Sequence, residues 1–175
     1  MTCVTPLPDN PQSPVRLNLY GRRQGRPLRP HRKALVQDLL PRLRIDLPPP
    51  PGKIDPAALF PPQIKEIWLE IGFGAGEHLA AQAAAHPDTG IIGAEFFMNG
   101  VASLLGHMER QGLSNVRIVP GDARPLLDTL PDASISRCFV LFPDPWPKKR
   151  HAFRRFIGPE NLDRLARILK PGAWL

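Results

Sequence analysis

The chain has 175 residues, 42% of them apolar, and a formal net charge of +7. That length suits one domain with a terminal extension, and no apolar run approaches the roughly 20 residues that span a bilayer. Two cysteines, Cys3 in a polar tail and Cys138 inside an apolar run, argue against a disulfide framework and fit a cytoplasmic protein.

In chain order, residues 1–15 are Pro-rich and lack the charged-then-apolar pattern of a signal peptide; a disordered tail is expected. Residues 16–63 read as a basic arm followed by a Pro-rich spacer. Gly21, Gly25, Pro27 and Pro30 are expected to break any helix up to residue 33. Leu35, Leu39, Leu40 and Leu43 then form a short helical stripe, with Pro41 kinking or ending it. Pro48 to Gly52 is a stiff spacer, and Pro56, Pro61 and Pro62 keep the chain irregular to about residue 63.

From residue 64 to 175 the texture alternates. Strands are expected over 67–71, 90–94, 116–119 and 135–142, and helices over 77–85, 98–111, 124–130 and 159–169. Pro159 suits the first turn of the last helix, Pro171-Gly172 ends it, and residues 173–175 begin a fifth strand. Strand followed by helix, repeated, predicts an α/β fold: a Rossmann-like, mostly parallel sheet with helices on both faces. A chain stopping inside a strand predicts an incomplete domain whose C-terminal strands are missing.

Charge is clustered. Residues 16–44 carry nine Arg or Lys against one acid, Asp38, and residues 148–155 carry five with no acid. Such clusters are the electrostatic footprint of phosphate binding, which makes a nucleic acid the expected partner. Neither a membrane partner nor a metal is expected. His78, His86, His107 and His151 share no ligand spacing, and a monomer is the default state.

Glu70-Ile71-Gly72-Phe73-Gly74-Ala75-Gly76 follows the first strand and opens the first helix of this region. Its glycines let backbone approach a ligand, and ligands sit at the carboxyl ends of parallel strands. A dinucleotide loop spaces its glycines G-x-G-x-x-G around a diphosphate. Here the spacing is G-x-G-x-G, and Glu70 would repel a diphosphate but welcome a cation. S-adenosylmethionine, with a sulfonium, an amino group and no phosphate, fits better than NAD. Glu95, ending the second strand, could take both ribose hydroxyls. Asp122, after the third, could receive an adenine amino group.

The fourth strand ends at Leu141-Phe142-Pro143-Asp144-Pro145-Trp146-Pro147-Lys148-Lys149-Arg150. A carboxylate between prolines, an indole and a cationic run suit a nucleobase joined to phosphates. Methyl transfer from a sulfonium is an in-line displacement governed by positioning. Guanine N7 offers a lone pair without deprotonation, and Asp144 would stabilise the positive charge that develops. Trp146 offers a stacking surface. Lys148 would meet the base or its phosphate, and Lys149, Arg150, Arg154 and Arg155 would grip the backbone. An exocyclic amine is an alternative acceptor for an Asp-Pro-aromatic site, and a non-catalytic RNA-binding remnant is a second alternative.

These motifs resemble the bacterial tRNA (guanine-N7-)-methyltransferase family. The resemblance is carried by Glu70-Ile71-Gly72-Phe73-Gly74, Gly93-Ala94-Glu95, Gly112 to Val116, Gly121-Asp122-Ala123 and Phe142 to Lys148, and by the arm from Gly21 to Arg29. It implies the S-adenosylmethionine-dependent methyltransferase fold and methylation at N7 of the variable-loop guanosine, position 46, of tRNA. It implies cofactor contacts from Glu70, Gly72, Gly74, Glu95, Asp122 and Asp144, a catalytic Asp144, and substrate contacts from Lys148, Arg150, Arg154 and Arg155. The family continues beyond residue 175 with elements that help hold the guanine. The 175-residue chain is therefore expected to bind S-adenosylmethionine weakly and to methylate tRNA poorly.

Overall fold

The computed structural model describes residues 22–141 and 147–175. Five strands form one parallel sheet: β1 (Glu66–Ile71), β2 (Thr89–Ala94), β3 (Val116–Val119), β4 (Ile135–Val140) and β5 (Leu169–Trp174), in the order β3-β2-β1-β4-β5. Helices α1 (Pro30–Asp38) and α2 (Leu40–Leu43) precede the sheet. Helices α3 (Glu77–Ala85), α4 (Met98–Gln111), α5 (Ala123–Thr129) and α6 (Pro159–Ile168) connect its strands. This is the α/β arrangement expected from the alternating texture.

Burial on both faces explains the near-continuous apolar strands. Alternate residues of β1 point to opposite sides. Ile67, Leu69 and Ile71 join Leu126, Leu127, Leu165 and Ile168 of α5 and α6 in one core layer. Trp68 joins Leu79 of α3, Leu104 and Leu105 of α4, and Leu35, Leu40 and Leu43 of α1 and α2 in the other. Helix α4 ends where Gly112 turns left-handed (φ 64°), with Leu113 N donating to Met108 O, a C-terminal cap that needs glycine. Buried Asn115 donates to the carbonyls of Ala83, His86 and Thr89, tying the end of α3 to the start of β3.

Three local expectations change or narrow. Pro30 starts α1 rather than breaking it, because a first-turn position needs no N–H donor. Of the two readings of Pro41, kinking fits and ending does not: it lies in the first turn of α2, and Leu39 between α1 and α2 keeps helical dihedrals (φ −95°, ψ −43°). Strand β5 begins at Leu169, earlier than expected, and carries Pro171-Gly172 within it. Its pairing with β4 has a register irregularity between Ile135 and Arg137, a bulge-like setting in which a strand tolerates proline.

The segment before β1 is packed, not free. Arg44 bridges Ile118 in parallel fashion and Ile45 N donates to Ile118 O (2.9 Å), covering the β3 edge. The arm lies across the start of α4. Met98 N donates to Arg23 O (2.9 Å), Gly25 N to Asn99 Oδ1 (2.9 Å), and Asn99 Nδ2 to Arg26 O (2.8 Å). The tail 1–15, Cys3 and the arm up to Gly21 lie outside the described residues. Among the described residues, no helix is long and apolar enough to cross a membrane.

Candidate active site

The carboxyl ends of β1, β2 and β3 bring Glu70, Glu95 and Asp122 to one end of the sheet, with the glycine loop between β1 and α3. Gly72 (φ 70°) and Gly74 (φ 57°) adopt left-handed backbone, and a Cβ at either would meet open space. That open cradle, edged with acids, fits a cationic nucleoside ligand better than a diphosphate. Gly100 of α4 has the opposite constraint. A Cβ there would stand 2.1 Å from Gly74 O, so the start of α4 is pressed against the loop and holds its shape.

Glu70 sits one residue before the end of β1, beside Gly93 and Phe139, and is 1% exposed. A carboxylate in a buried strand is costly unless compensated. Its compensation is His78 on α3, whose Nδ1 lies 2.8 Å from Oε2. Burial pushes the Glu70 carboxyl above its ordinary range, while the His78 hydrogen bond and charge pull the other way. The His78 ring meets Phe139 edge-on at 4.8 Å. Cys138, paired with Leu69 across β1 and β4, is a buried thiol pushed up to about 12 by burial and by the Glu70 charge; it is inert.

Glu95 follows β2. Its Oε2 accepts from Gly74 N (2.8 Å) and its Oε1 from Phe97 N (2.7 Å). Two backbone donors thus fix the carboxylate, and each oxygen keeps a further lone pair for a ligand hydroxyl. Asp122 caps α5, its Oδ1 accepting from Arg124 N (3.1 Å). The Arg124 side chain also clasps it, with Nε 3.1 and 2.9 Å from the two oxygens and Nη2 2.8 Å from Oδ2. A cavity of about 390 Å³ opens beside the β3 end, lined by Arg23, Arg44, Met98, Val119 and Pro120. It sets the arm next to this end of the sheet.

Asp144 and Trp146, with Phe142, Pro143 and Pro145, lie outside the described residues. Beyond them, Lys148 and Arg150 are exposed, and the chain forms a short 3-10 helix over Lys149–Arg154. His151 N donates to Lys148 O (2.8 Å), and Arg155 Nη2 reaches Pro147 O at 3.5 Å. Sequence reasoning missed His78, Arg124 and Gly100. His78 stands eight residues after Glu70, a spacing that means nothing until the loop folds α3 back onto β1. Arg124 beside Asp122 was visible only as one more basic residue.

Comparison with known proteins identifies the family. A family model described as "Putative methyltransferase" matches residues 65–175. A tRNA (guanine-N(7)-)-methyltransferase of Paramagnetospirillum magneticum is 56% identical over 91% of this chain and 68% of its own length. The protein of that name from Caulobacter vibrioides is 51% identical over 96% of this chain and 71% of its own. Among solved structures, a SAM-dependent methyltransferase from Aquifex aeolicus aligns at 23% identity and a TM-score of 0.44, over 62% of this chain and 54% of that one. With more than half of the aligned residues identical to those relatives along nearly its whole length, the chain belongs to the tRNA (guanine-N(7)-)-methyltransferase family.

Proposed function

We propose that this protein transfers the methyl group of S-adenosylmethionine to N7 of the variable-loop guanosine, position 46, of tRNA. The observation that carries this reading is the open glycine cradle with Glu70, Glu95 and Asp122 at its rim, in a chain whose relatives bear that name. A cytoplasmic monomer fits the substrate.

The cofactor, when bound, supplies a methyl group made electrophilic by a sulfonium. The chain's residues place it. Gly72 and Gly74 let backbone lie against the ligand. Glu95, already fixed by Gly74 and Phe97 N–H groups, accepts from ribose hydroxyls. Asp122 receives the adenine amino group, and Glu70 provides negative charge for the cationic end. The role assigned to Asp144 is to stabilise the positive charge that grows on the purine as N7 is methylated. Lys148, Arg150, Arg154 and Arg155, with the arm arginines, hold phosphates without reading sequence.

Labelled methyl transfer to two tRNA transcripts, one with G and one with A at position 46, tests this reading. Incorporation only into the G46 transcript is expected. Equal incorporation into both would overturn the site assignment.

A further inference from the structure

We propose that His78 is the positioning residue of the cofactor site: it holds Glu70 as an oriented carboxylate against which the cationic ligand binds. This rests on the reading of the site as one for S-adenosylmethionine.

The geometry is specific. Glu70 is buried in the second-last position of β1, and among the described residues His78 is its hydrogen-bond partner, at 2.8 Å. The His78 side chain is 35% exposed, so it joins a buried acid to solvent at the mouth of the glycine loop. Phe139 fixes the ring plane at 71°. Other charged groups lie around the pair without engaging Glu70. From β4, Arg137 stacks over Trp68 at 4.4 Å, and the Cys138 thiol is neutral. From α3, Glu77 is exposed and His86 packs on Trp68. From the β2 end, Glu95 is bound to Gly74 and Phe97.

The chemistry follows from competition. Burial favours the neutral acid, and the hydrogen bond from His78 favours the carboxylate. Without that donor, Glu70 takes up a proton at higher pH and presents a neutral carboxyl that attracts no cation. A ligand bearing a sulfonium and an ammonium then loses its counter-charge. His78 need not touch the ligand for this to hold.

Two variants separate this role from simple packing. His78→Phe keeps a ring against Phe139 and removes the donor. His78→Asn removes the ring and leaves an amide N–H near the Nδ1 position. Calorimetric titration with S-adenosylmethionine at a series of pH values on either side of neutrality reads both. The expected result is a roughly tenfold loss of affinity in His78→Phe at neutral pH, the scale of a charge-assisted hydrogen bond. That loss grows as pH falls, and His78→Asn recovers most of the affinity. Circular dichroism of each variant establishes that it is folded. Full affinity in folded His78→Phe with a weakened His78→Asn would make His78 a packing residue and overturn the inference. Absence of binding by the unsubstituted chain would overturn the cofactor reading itself.

Discussion

Glu70 opposes stability to function within one side chain. Its carboxyl is raised by burial, so the folded state holds the proton more tightly than the unfolded chain. Between the unfolded value of 4.5 and the higher folded one, the folded state binds more protons, and stability falls as pH rises through that window. Glu70→Gln is therefore expected to raise the melting temperature of the free protein at neutral pH while abolishing cofactor binding. Scanning calorimetry with a ligand titration checks both; a lower melting temperature would show that the His78 contact outweighs desolvation. Gly100 makes the opposite prediction. A methyl group at position 100 would enter Gly74 O, so Gly100→Ala must displace the cradle or the start of α4. A destabilisation of about 1–3 kcal/mol is expected, accompanied by weakened cofactor binding; an unchanged affinity would mean that the loop relaxes freely.

At the scale of elements, what matters is how helices hold strand ends in register. Asn115 is buried and serves three carbonyls around the α3–β2 turn. Asn115→Ala leaves those acceptors without their donor and is expected to cost about 2 kcal/mol in urea unfolding. Much of this architecture is legible in the sequence, because both-face burial writes short apolar runs such as Ile67 to Leu69 and Ile91-Ile92 into the strands, and because glycine and acid recur at strand ends. Helices α3 and α4 have the expected limits. Apart from Pro159, which opens α6 as expected, the changed expectations share one cause: proline read as a breaker. Its effect depends on whether a donor is needed there, so Pro30 and Pro41 lie in first turns and Pro171 lies in a strand with irregular pairing. The three acids were legible one at a time, but their partners were not. His78 reaches Glu70 only across a folded loop, and Gly74 N reaches Glu95 only because α4 presses the loop into place.

At the scale of the whole molecule, the proposed function gives the two basic stretches to the substrate and the acidic strand ends to the cofactor. Arg22, Arg23 and Arg26 are exposed where the arm crosses the start of α4, and Lys148, Arg150 and Arg155 are exposed after β4. A phosphate grip of this kind binds by counter-ion release, so tRNA affinity should fall steeply with salt. A chain making about six phosphate contacts loses on the order of a thousandfold between about 50 and 200 mM salt. Binding of S-adenosylmethionine, which the proposal assigns to buried Glu70 and oriented Glu95, should change little over the same range. Parallel titrations of both ligands distinguish the two regimes. The measurement that bears most directly on the central claim is mass-spectrometric nucleoside analysis of an unmodified tRNA incubated with the protein and methyl-labelled S-adenosylmethionine. The account predicts label in 7-methylguanosine and in no other nucleoside. Label on an exocyclic amine, or unlabelled tRNA from protein that binds both ligands, would contradict it.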